Sequence, residues 1–447
     1  MSLSVGARLG PYERDLAAGP APALTAPGAT PDIAIVGAGA AGLATAIFAA
    51  RQQRELRIVA LDGAPRLGAK ILVSGGARCN VTNSVVTEAD FHGGRRNTIR
   101  RVLRAFAVSP TVAFFREIGV PLHEEADGKL FPDTNRARTV LEALVREAER
   151  LGVDLRPGHR VRAIERHEDH FVVTTSQGRL QARRVVLASG GLSLPKTGSD
   201  GGGYALAQSL GHSLVPTTPA LVPLILDGDF HRSLAGVSVE VEVSVATDDA
   251  RPRRARGAML FTHFGISGPA VLDCSRHWLR GRLSGQTVTV TARFGPPRTE
   301  TLDKRLLALA RERPRLSLRG ALTTLLPTSL CDAILAELRL NGATSLSQLP
   351  RHDRRRLVHA LDSWPLPVRD SRGYAFAEAT AGGVPLDEID PSTMESRRCS
   401  GLYLVGEILD VDGRIGGFNF QWAWSSGFVA GRALADASTS RAATARA

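Results

Sequence analysis

The stretch IAIVGAGAAGL, residues 33–43, decides the fold of this chain. A wholly apolar run at residues 33–36 is followed at once by a G-x-G-x-x-G turn and then by a helix-compatible segment that continues to Gln52. A second strand-like run follows at residues 57–61 and is apolar from Ile58 onward. Short apolar runs without alternation are typical of strands buried on both faces of a parallel sheet. The pattern therefore predicts a β-α-β unit at the start of an α/β domain.

Each glycine of the turn has its own physical duty. The first permits a tight turn, the second lets a pyrophosphate approach the backbone, and the third allows the helix to pack against the strand. Asp62 stands at the end of the second strand, where a carboxylate accepts hydrogen bonds from a ribose hydroxyl and disfavours a 2′-phosphate. The sequence thus predicts an ADP-bearing ligand, FAD or NAD, held by Asp62 and by the turn residues Gly37, Ala38, Gly39, Ala40, Ala41 and Gly42.

A second glycine-rich block, far downstream, favours FAD over NAD. An apolar run at residues 402–405 leads into Gly406 and Glu407, and a last helix-compatible segment follows Gly416, Gly417, Phe418 and Asn419. In two-domain flavoproteins this position brings a helix N-terminus to the pyrimidine edge of the flavin, where its partial positive charge stabilises the anionic reduced ring. A simple NAD dehydrogenase has no need of such a block.

Composition bounds the class of protein. A chain of 447 residues suits two or three domains. No apolar run approaches the roughly 18 residues that a membrane helix requires, so no membrane partner is expected. Cys79, Cys274, Cys331 and Cys399 lie far apart, which indicates neither a disulfide framework nor a metal site and favours a cytoplasmic location.

The net charge of +12 raises the question of nucleic acid. Four of the 56 basic residues are lysines, the others are arginines, and they are spread along the whole chain. The densest cluster, residues 251–256, has no interleaved aromatic residues that could stack on bases. We therefore expect a small-molecule substrate and no nucleic-acid partner, while the oligomeric state stays open.

Changes in pattern divide the chain into segments. Helices and strands alternate up to about residue 210, strands interrupted by helices follow, and the apolar run before Gly406 returns to the first domain. The predicted segments are a disordered leader at 1–30, the first part of an FAD-binding domain at 31–210, an insert at 211–380 with a helical subdomain around 270–365, the second part of the FAD-binding domain at 381–435, and a disordered tail at 436–447.

The run from Gly68 to Asn83, GAKILVSGGARCNVTN, resembles the signature of the BaiN-like flavoproteins, also called YhiN-like or aminoacetone-oxidase-like proteins. Blocks at 197–204, 261–269, 380–384 and 406–422 are similar to that family in the same order. Ala77 replaces one of the family's glycines, and Asp62 stands where glutamate is commoner. The resemblance implies a glutathione-reductase-like FAD-binding Rossmann domain interrupted by a β-barrel-like insert with a helical subdomain, in a flavin-dependent oxidoreductase.

The resemblance also implies site residues. Glu407 and Asp412 are expected to bind ribityl or loop groups, and Val161 to offer a main-chain contact to the adenine. Ser189 and Gly190, at the end of a predicted strand, join the expected site. The signature loop is expected to follow the pyrophosphate and the flavin with Lys70, Ser74, Gly75, Gly76, Arg78 and Asn80.

Two side chains are candidates for chemistry. His263 is a candidate proton donor, since an ene reduction needs an acid whose pKa lies near neutrality. Tyr204 and Tyr374 are alternatives for that role. Cys79 could exchange electrons with the flavin, although an isolated cysteine is more often a packed residue.

The resulting hypothesis is an FAD-dependent oxidoreductase that uses NAD(P)H to reduce a small conjugated, enone-like substrate. The sequence has no second intact G-x-G-x-x-G, so NAD(P)H would visit the flavin transiently. Two alternatives stay open: an oxygen-linked oxidase of a small amine or carbonyl compound, and a flavin-containing tRNA-modifying or RNA-binding protein.

Overall fold

The computed structural model describes residues 30–248, 250–295 and 302–444. The leader predicted at 1–30 therefore lies outside the described residues except for Thr30. Within the described ranges, no helix is both long and apolar enough to cross a membrane.

The first segment alternates strands and helices. Its strands are β1 (Ile33–Val36), β2 (Ile58–Leu61), β3 (Thr82–Asn83), β4 (Phe91–Gly93), β5 (Leu122–Glu124), β6 (Lys129–Pro132), β7 (Asp154–Arg156), β8 (Val161–Arg166), β9 (Phe171–Thr175), β10 (Gly178–Ala182) and β11 (Arg184–Leu187). Its helices are α1 (Ala40–Gln52), α2 (Ala69–Ala77), α3 (Arg96–Ala105), α4 (Val108–Glu117), α5 (Ala137–Arg150) and α6 (Gly202–Ser209).

The middle segment forms the insert and the last segment returns to the first domain. The strands of the middle segment are β12 (Val215–Ala220), β13 (Leu224–Leu226), β14 (Ser238–Thr247), β15 (Ala250–Thr262), β16 (Gly265–Ser267), β17 (Val288–Phe294), β18 (Trp364–Pro365), β19 (Val368–Ser371) and β20 (Ala379–Gly383). Its helices are α7 (Pro269–Leu283), α8 (Leu302–Glu312), α9 (Leu318–Leu322), α10 (Thr328–Glu337) and α11 (Arg351–Asp362). The last segment contains β21 (Leu402–Leu404), β22 (Val411–Gly413) and α12 (Phe418–Thr444).

A parallel sheet forms the centre of the first domain, with strand order β21-β11-β1-β2-β7. β1 lies in the middle and pairs in parallel register with both β2 and β11. All four residues of β1 are buried, which explains its uninterrupted apolar sequence. Because β21 pairs with β11, the return segment completes the same sheet and the domain is discontinuous in sequence.

Small residues let α12 lie directly against α1. A Cβ on Gly427 would come within 2.8 Å of the Ala44 side chain, and one on Gly431 would come within 2.8 Å of the Thr45 carbonyl oxygen. The two helices therefore approach more closely than helices with larger side chains at these positions could. This contact fixes the N-terminal ends of α1 and α12 relative to each other.

The insert has its own hydrophobic core, separate from that of the Rossmann domain. Its larger sheet has the strand order β18-β17-β14-β15-β16-β13-β19. The two outermost strands of this order are joined in the chain by Leu366 and Pro367, so the sheet curls back on itself. The barrel-like sheet predicted for the insert is thus confirmed, and helices α8 to α11 lie between β17 and β18 in the chain.

Two local predictions were wrong. The signature run is not a loop throughout, because Ala69 to Val73 are helical, and the chain leaves helical geometry from Ser74 to Ala77. The tail predicted as disordered at 436–447 is helical as far as Thr444, where α12 ends, and residues 445–447 lie outside the described residues. Arg184 donates hydrogen bonds to the Ala437 carbonyl oxygen and to Ser438 Oγ, which ties this part of the helix to the domain.

Candidate functional site

A cavity of about 1020 Å³ opens where the carboxyl ends of the parallel strands face the insert. Val36, Leu61 and Ala188 line it from the ends of β1, β2 and β11, whereas Leu221 and Pro269 line it from the insert. Ligands of open α/β sheets bind at this edge, because the loops after the strands converge there. The cavity is therefore the candidate functional site.

The three glycines of the turn are required for different reasons. Gly37 has a φ of 102° and a Cβ there would lie 2.4 Å from the Ala188 carbonyl oxygen, while a Cβ on Gly42 would lie 1.9 Å from the Gly37 carbonyl oxygen. Both positions therefore exclude side chains. A Cβ on Gly39 would meet no atom within 4 Å, and Gly39 lines the cavity. The backbone at Gly39 is thus open to a ligand at the N-terminus of α1.

The Asp62 side chain is hydrogen-bonded to the glycine-rich turn with which it was predicted to hold the ligand. Its carboxylate accepts a hydrogen bond from Ala38 N at 2.9 Å and another from Ala64 N at 2.8 Å. Burial raises its pKa, while these two hydrogen bonds and the nearby charge of Arg160 oppose the rise. Asp62 also lines the cavity, so its unused lone pairs are available to a ribose hydroxyl.

Lys70 reaches across the cavity to the return segment. Its ammonium donates hydrogen bonds to a Glu407 carboxylate oxygen and, at 2.5 Å, to Ser193 Oγ. The other Glu407 oxygen accepts from Ser193 Oγ at 2.6 Å and from Thr380 N at 2.8 Å. We call Lys70, Ser193 and Glu407 the cavity cluster. It joins residues that are 337 positions apart in the chain.

Asn80 joins the signature run to the second glycine block. Its side-chain amide donates to the carbonyl oxygens of Leu130 and Thr82 and accepts from Gly417 N. Gly417 has a φ of 91°, and a Cβ there would lie 2.5 Å from the Thr82 carbonyl oxygen. The chain can therefore pass close to β3 only with glycine at this position, and it then enters α12 with the helix N-terminus facing the cavity.

The residues present fit FAD. Ser189 Oγ lines the cavity and is a buried polar atom with no hydrogen-bond partner among the described residues. Gly39 and Gly76 both line the cavity and leave open space where a Cβ would stand. The N-terminus of α1 suits a pyrophosphate, and that of α12 suits an electron-rich ring edge. An elongated dinucleotide satisfies these features together.

The protein-family model for the HI0933-like protein Rossmann domain matches residues 31–433. The chain belongs to the HI0933-like family. It is accordingly a flavin-dependent oxidoreductase, and FAD is its cofactor.

The chain aligns with nearly the whole length of two relatives of known name. The chain is 35% identical to the 3-dehydro-bile acid delta(4,6)-reductase of Clostridium scindens, over 90% of this chain and 99% of that one. It is 33% identical to the ribosomal RNA dihydrouridine synthase of Escherichia coli, over 92% of this chain and 99% of that one. A solved structure of E. coli quinol fumarate reductase matches with a TM-score of 0.49 and 19% identity, covering 92% of this chain and 71% of that one.

The cavity of this HI0933-like protein brings together most of the residues predicted to hold FAD. Val161, predicted to contact the adenine, lies in the lining beside Asp62. The predicted residues that line the cavity are Gly37, Gly39, Ala40, Ala41, Asp62, Lys70, Ser74, Gly75, Gly76, Arg78, Asn80, Val161, Ser189, Gly190, Gly406, Glu407, Gly416, Gly417 and Asn419. Ala38 and Gly42 stand behind the turn and shape it without lining the cavity.

Asp412 and Phe418 lie outside the lining. Asp412 is buried and accepts two hydrogen bonds from the Arg276 guanidinium, at 2.6 and 3.0 Å, so its carboxylate joins the Rossmann domain to α7 of the insert. Phe418 is buried against Phe91. The prediction that Asp412 binds ribityl or loop groups was therefore wrong about its partner, which is a distant arginine that local sequence does not indicate.

The candidates for chemistry also lie outside the lining. Cys79 is fully buried, and burial raises the pKa of its thiol to about 12. Both facts favour the packing alternative. His263 is exposed in the turn between β15 and β16 and contacts Phe264 edge to face. Its role as proton donor stays a prediction, and its position gives it no direct access to the cavity.

Several lining residues were not predicted. Arg160 and Asp200 form an ion pair at 2.5 Å beside Asp62, and Lys196 to Ser199 continue the same wall. The signal for this wall was present, because residues 197–204 form one of the blocks that resemble the family. Phe376 and Glu378 line the insert side. They belong to no motif and could not be found from spacing.

Proposed function

We propose that this flavoprotein uses NAD(P)H to reduce a carbon–carbon double bond conjugated to a carbonyl group. The observation that carries the proposal is the shape of the cavity, which continues from the glycine turn past the cavity cluster to the insert. It thus has room for a substrate beyond the ADP-binding end. The insert side offers Leu221, Pro269 and Phe376, an apolar wall suited to a flat organic molecule.

The names of two relatives support the same reaction class. A delta(4,6)-reductase of a 3-dehydro bile acid acts on double bonds conjugated to a ketone. A dihydrouridine synthase acts on the uracil C5=C6 bond, which is conjugated to the C4 carbonyl group. Both substrates accept a hydride at one carbon and a proton at its neighbour. We infer that this chain shares that reaction, whatever carries the conjugated group.

The chain's own residues would bind the cofactor and fix the walls of the site around it. The N-terminus of α1 and Asp62 would hold the ADP half, and the N-terminus of α12 would face the ring. When bound, FAD supplies a hydride through N5 of its reduced ring. The cavity cluster ties the return segment to α2, so the distance between these two walls of the cavity is fixed. The insert residues Leu221, Pro269 and Phe376 line the site and would cover part of a bound ring.

Anaerobic stopped-flow mixing tests the electron donor and the acceptor in turn. NADH or NADPH should bleach the flavin absorbance of the purified holoenzyme, and a conjugated oxo steroid such as 4-androstene-3,17-dione should restore it. If neither nucleotide bleaches the flavin, the reductase proposal fails. Reoxidation by oxygen alone, after bleaching by an amine, would favour the oxidase alternative.

A uridine in ribosomal RNA is a second candidate substrate. Two of the relatives are named ribosomal RNA dihydrouridine synthases, and their names favour the RNA-modifying alternative that the scattered arginines of this chain did not. A cytoplasmic location would give access to both ribosomal RNA and NAD(P)H. Incubation of unmodified ribosomal RNA transcripts with holoenzyme and NADPH, followed by mass spectrometry of the nucleosides, should then show dihydrouridine. A transcript that stays unmodified while the steroid is reduced would exclude this candidate.

A further inference from the structure

Glu378 differs from the other carboxylates of the cavity. Asp62 accepts backbone hydrogen bonds, Asp200 forms an ion pair with an arginine, and Glu407 forms one with a lysine. In the described part of the chain, the Glu378 carboxyl has neither a hydrogen bond nor an ion pair, and it lines the cavity. It is therefore the one cavity carboxyl whose oxygens are all available to a bound molecule.

The backbone on both sides of Glu378 is fixed. Glu378 N donates a hydrogen bond to the Leu221 carbonyl oxygen at 3.1 Å, and Thr380 N donates to Glu407 at 2.8 Å. These contacts hold the carboxyl at the end of the cavity where the insert meets the Rossmann domain. Glu378 lies close enough to Lys70 of the cavity cluster to be affected by its charge, and we take this part of the site, next to the insert, as the place where a substrate would meet the flavin ring.

The surroundings of Glu378 raise the pKa of its carboxyl above the ordinary glutamate value. The Glu378 side chain is exposed to the space of the cavity, and the protein that surrounds this space raises the pKa of the carboxyl by desolvation. Lys70 on α2 acts in the opposite direction, and Asp273 on α7 acts in the same direction as burial. Lys70 is already paired with Glu407, so much of its positive charge is compensated before it reaches Glu378.

We propose that Glu378 is the catalytic acid that protonates the carbon next to the carbonyl group of a conjugated substrate. The reduction adds a hydride from the reduced flavin to the more distant carbon of the double bond, and the electron pair of that bond moves toward the carbonyl group. The nearer carbon then takes the proton from the carboxyl group. Water returns a proton to the carboxylate, and NAD(P)H returns the two electrons. This assignment rests on the proposed function.

The other candidate donors do not reach the cavity. His263 and Cys79 lie outside its lining. Tyr374 donates its hydroxyl proton to Thr217 Oγ1 at 3.0 Å, and the Tyr204 hydroxyl is buried behind the wall. Burial also raises the pKa of Tyr204. Among the acids considered, Glu378 alone combines access, a free oxygen and a raised pKa.

The test uses the Glu378→Gln variant of the holoenzyme, which keeps the size of the side chain. Its FAD content and its rate of reduction by NAD(P)H should match those of the wild type, because neither step needs this proton. Reoxidation of the reduced variant by 4-androstene-3,17-dione should be about 10²- to 10⁴-fold slower, the usual contribution of a general acid. In the wild type this rate should fall as the pH rises through the pKa of Glu378, whereas the variant should lack that dependence.

An independent readout and a control complete the test. Infrared difference spectra of the wild type across the pH range should show a protonated carboxyl band that Glu378→Gln removes and that persists above pH 4.5, the ordinary glutamate value. The Asp370→Asn variant removes an exposed carboxylate near Glu378 in sequence and should behave as the wild type. Equal reoxidation rates in wild type and Glu378→Gln would overturn the assignment alone. A wild type that no conjugated substrate reoxidises would overturn the proposed function and, with it, the assignment.

Discussion

Two clusters of similar groups have very different surroundings in this molecule. The cavity cluster combines an ammonium, a hydroxyl and a carboxylate at the wall of the flavin site. A second set, which we call the buried cluster, combines His212, Glu388 and Ser396. In it, His212 Nδ1 lies 2.7 Å from a Glu388 carboxylate oxygen, and His212 Nε2 lies 2.8 Å from Ser396 Oγ.

The buried cluster has the hydrogen-bond connectivity of a hydrolase triad, but its side chains are not accessible to a substrate. The His212 side chain is 0% exposed and that of Glu388 is 8% exposed, and no member of the cluster lines the cavity. Ser396 Oγ also accepts hydrogen bonds from the backbone N–H groups of Arg398 and Cys399. The serine therefore holds a turn. Access to a cavity, more than the identity of the groups, separates a site from a structural network.

The largest effect should follow removal of the buried carboxylate. Glu388→Ala would leave His212 and the Ser213 N–H and hydroxyl groups without their acceptor. Breaking a buried charged network costs about 3 kcal/mol, so denaturant unfolding of the apoprotein should show a loss of that order. FAD content and turnover per folded molecule should stay unchanged.

Asp387 provides the matched control, because it is the adjacent acidic residue and its side chain is 62% exposed. Asp387→Ala should change the free energy of unfolding by no more than about 0.5 kcal/mol. Equal losses in the two variants would contradict the structural role of the buried cluster.

The cavity cluster should show the opposite division of effects. Lys70→Met leaves the Glu407 carboxylate uncompensated at a wall that faces an anionic cofactor. We expect FAD to bind about tenfold more weakly, which corresponds to about 1.4 kcal/mol, with a smaller change in apoprotein stability. Isothermal titration with FAD measures the first quantity. The Lys70→Met/Glu407→Gln double variant restores neutrality and should bind FAD better than Lys70→Met, and failure to do so would argue against the electrostatic explanation.

The ADP-binding end was predictable from sequence because its chemistry is local. Strand, glycine turn, helix and Asp62 lie within 30 residues, and the spacing alone brings the Asp62 carboxylate to the Ala38 N–H group. The family blocks pointed to Asn80 and Gly417 as site residues. They did not indicate that the Asn80 side chain accepts a hydrogen bond from the Gly417 backbone N–H group. Local geometry and sequence spacing carry the same information here.

Contacts that join distant segments of the chain could not be predicted. Lys70 and Glu407 meet only after α2, β20 and the return segment have packed, and Asp412 finds Arg276 on a helix of the insert. Glu378 is a single glutamate after a short turn, and nothing in its neighbours indicates a cavity. For residues 69–73 the family resemblance implied a loop, whereas the structure shows the first turns of α2.

Protonation of Glu388 in acid should lower the free energy of unfolding by less than its replacement by alanine does. Burial alone would raise the pKa of Glu388, but hydrogen bonds from Ser213 and His212 outweigh it and lower the pKa below the ordinary 4.5. The stability that these bonds contribute is therefore complete above that value and is lost as the pH falls through the lowered pKa. As the pH is lowered from 6 to 3, the unfolding free energy of the wild type should fall toward that of Glu388→Gln, because only the wild type has a carboxylate at position 388 that takes up a proton. Parallel curves would contradict the assignment.

The smallest expected effect is an absence of reaction at Ser396. A fluorophosphonate probe labels a serine only when the hydroxyl is accessible and its neighbouring histidine can accept the proton. Ser396 has the histidine at 2.8 Å but is 7% exposed, and its oxygen is already engaged by two backbone N–H groups. Mass spectrometry of the probe-treated protein should therefore find no adduct at Ser396 in the native state. An adduct there would mean that the turn opens in solution, and the distinction between the sealed cluster and the cavity cluster would then rest on dynamics instead of on burial.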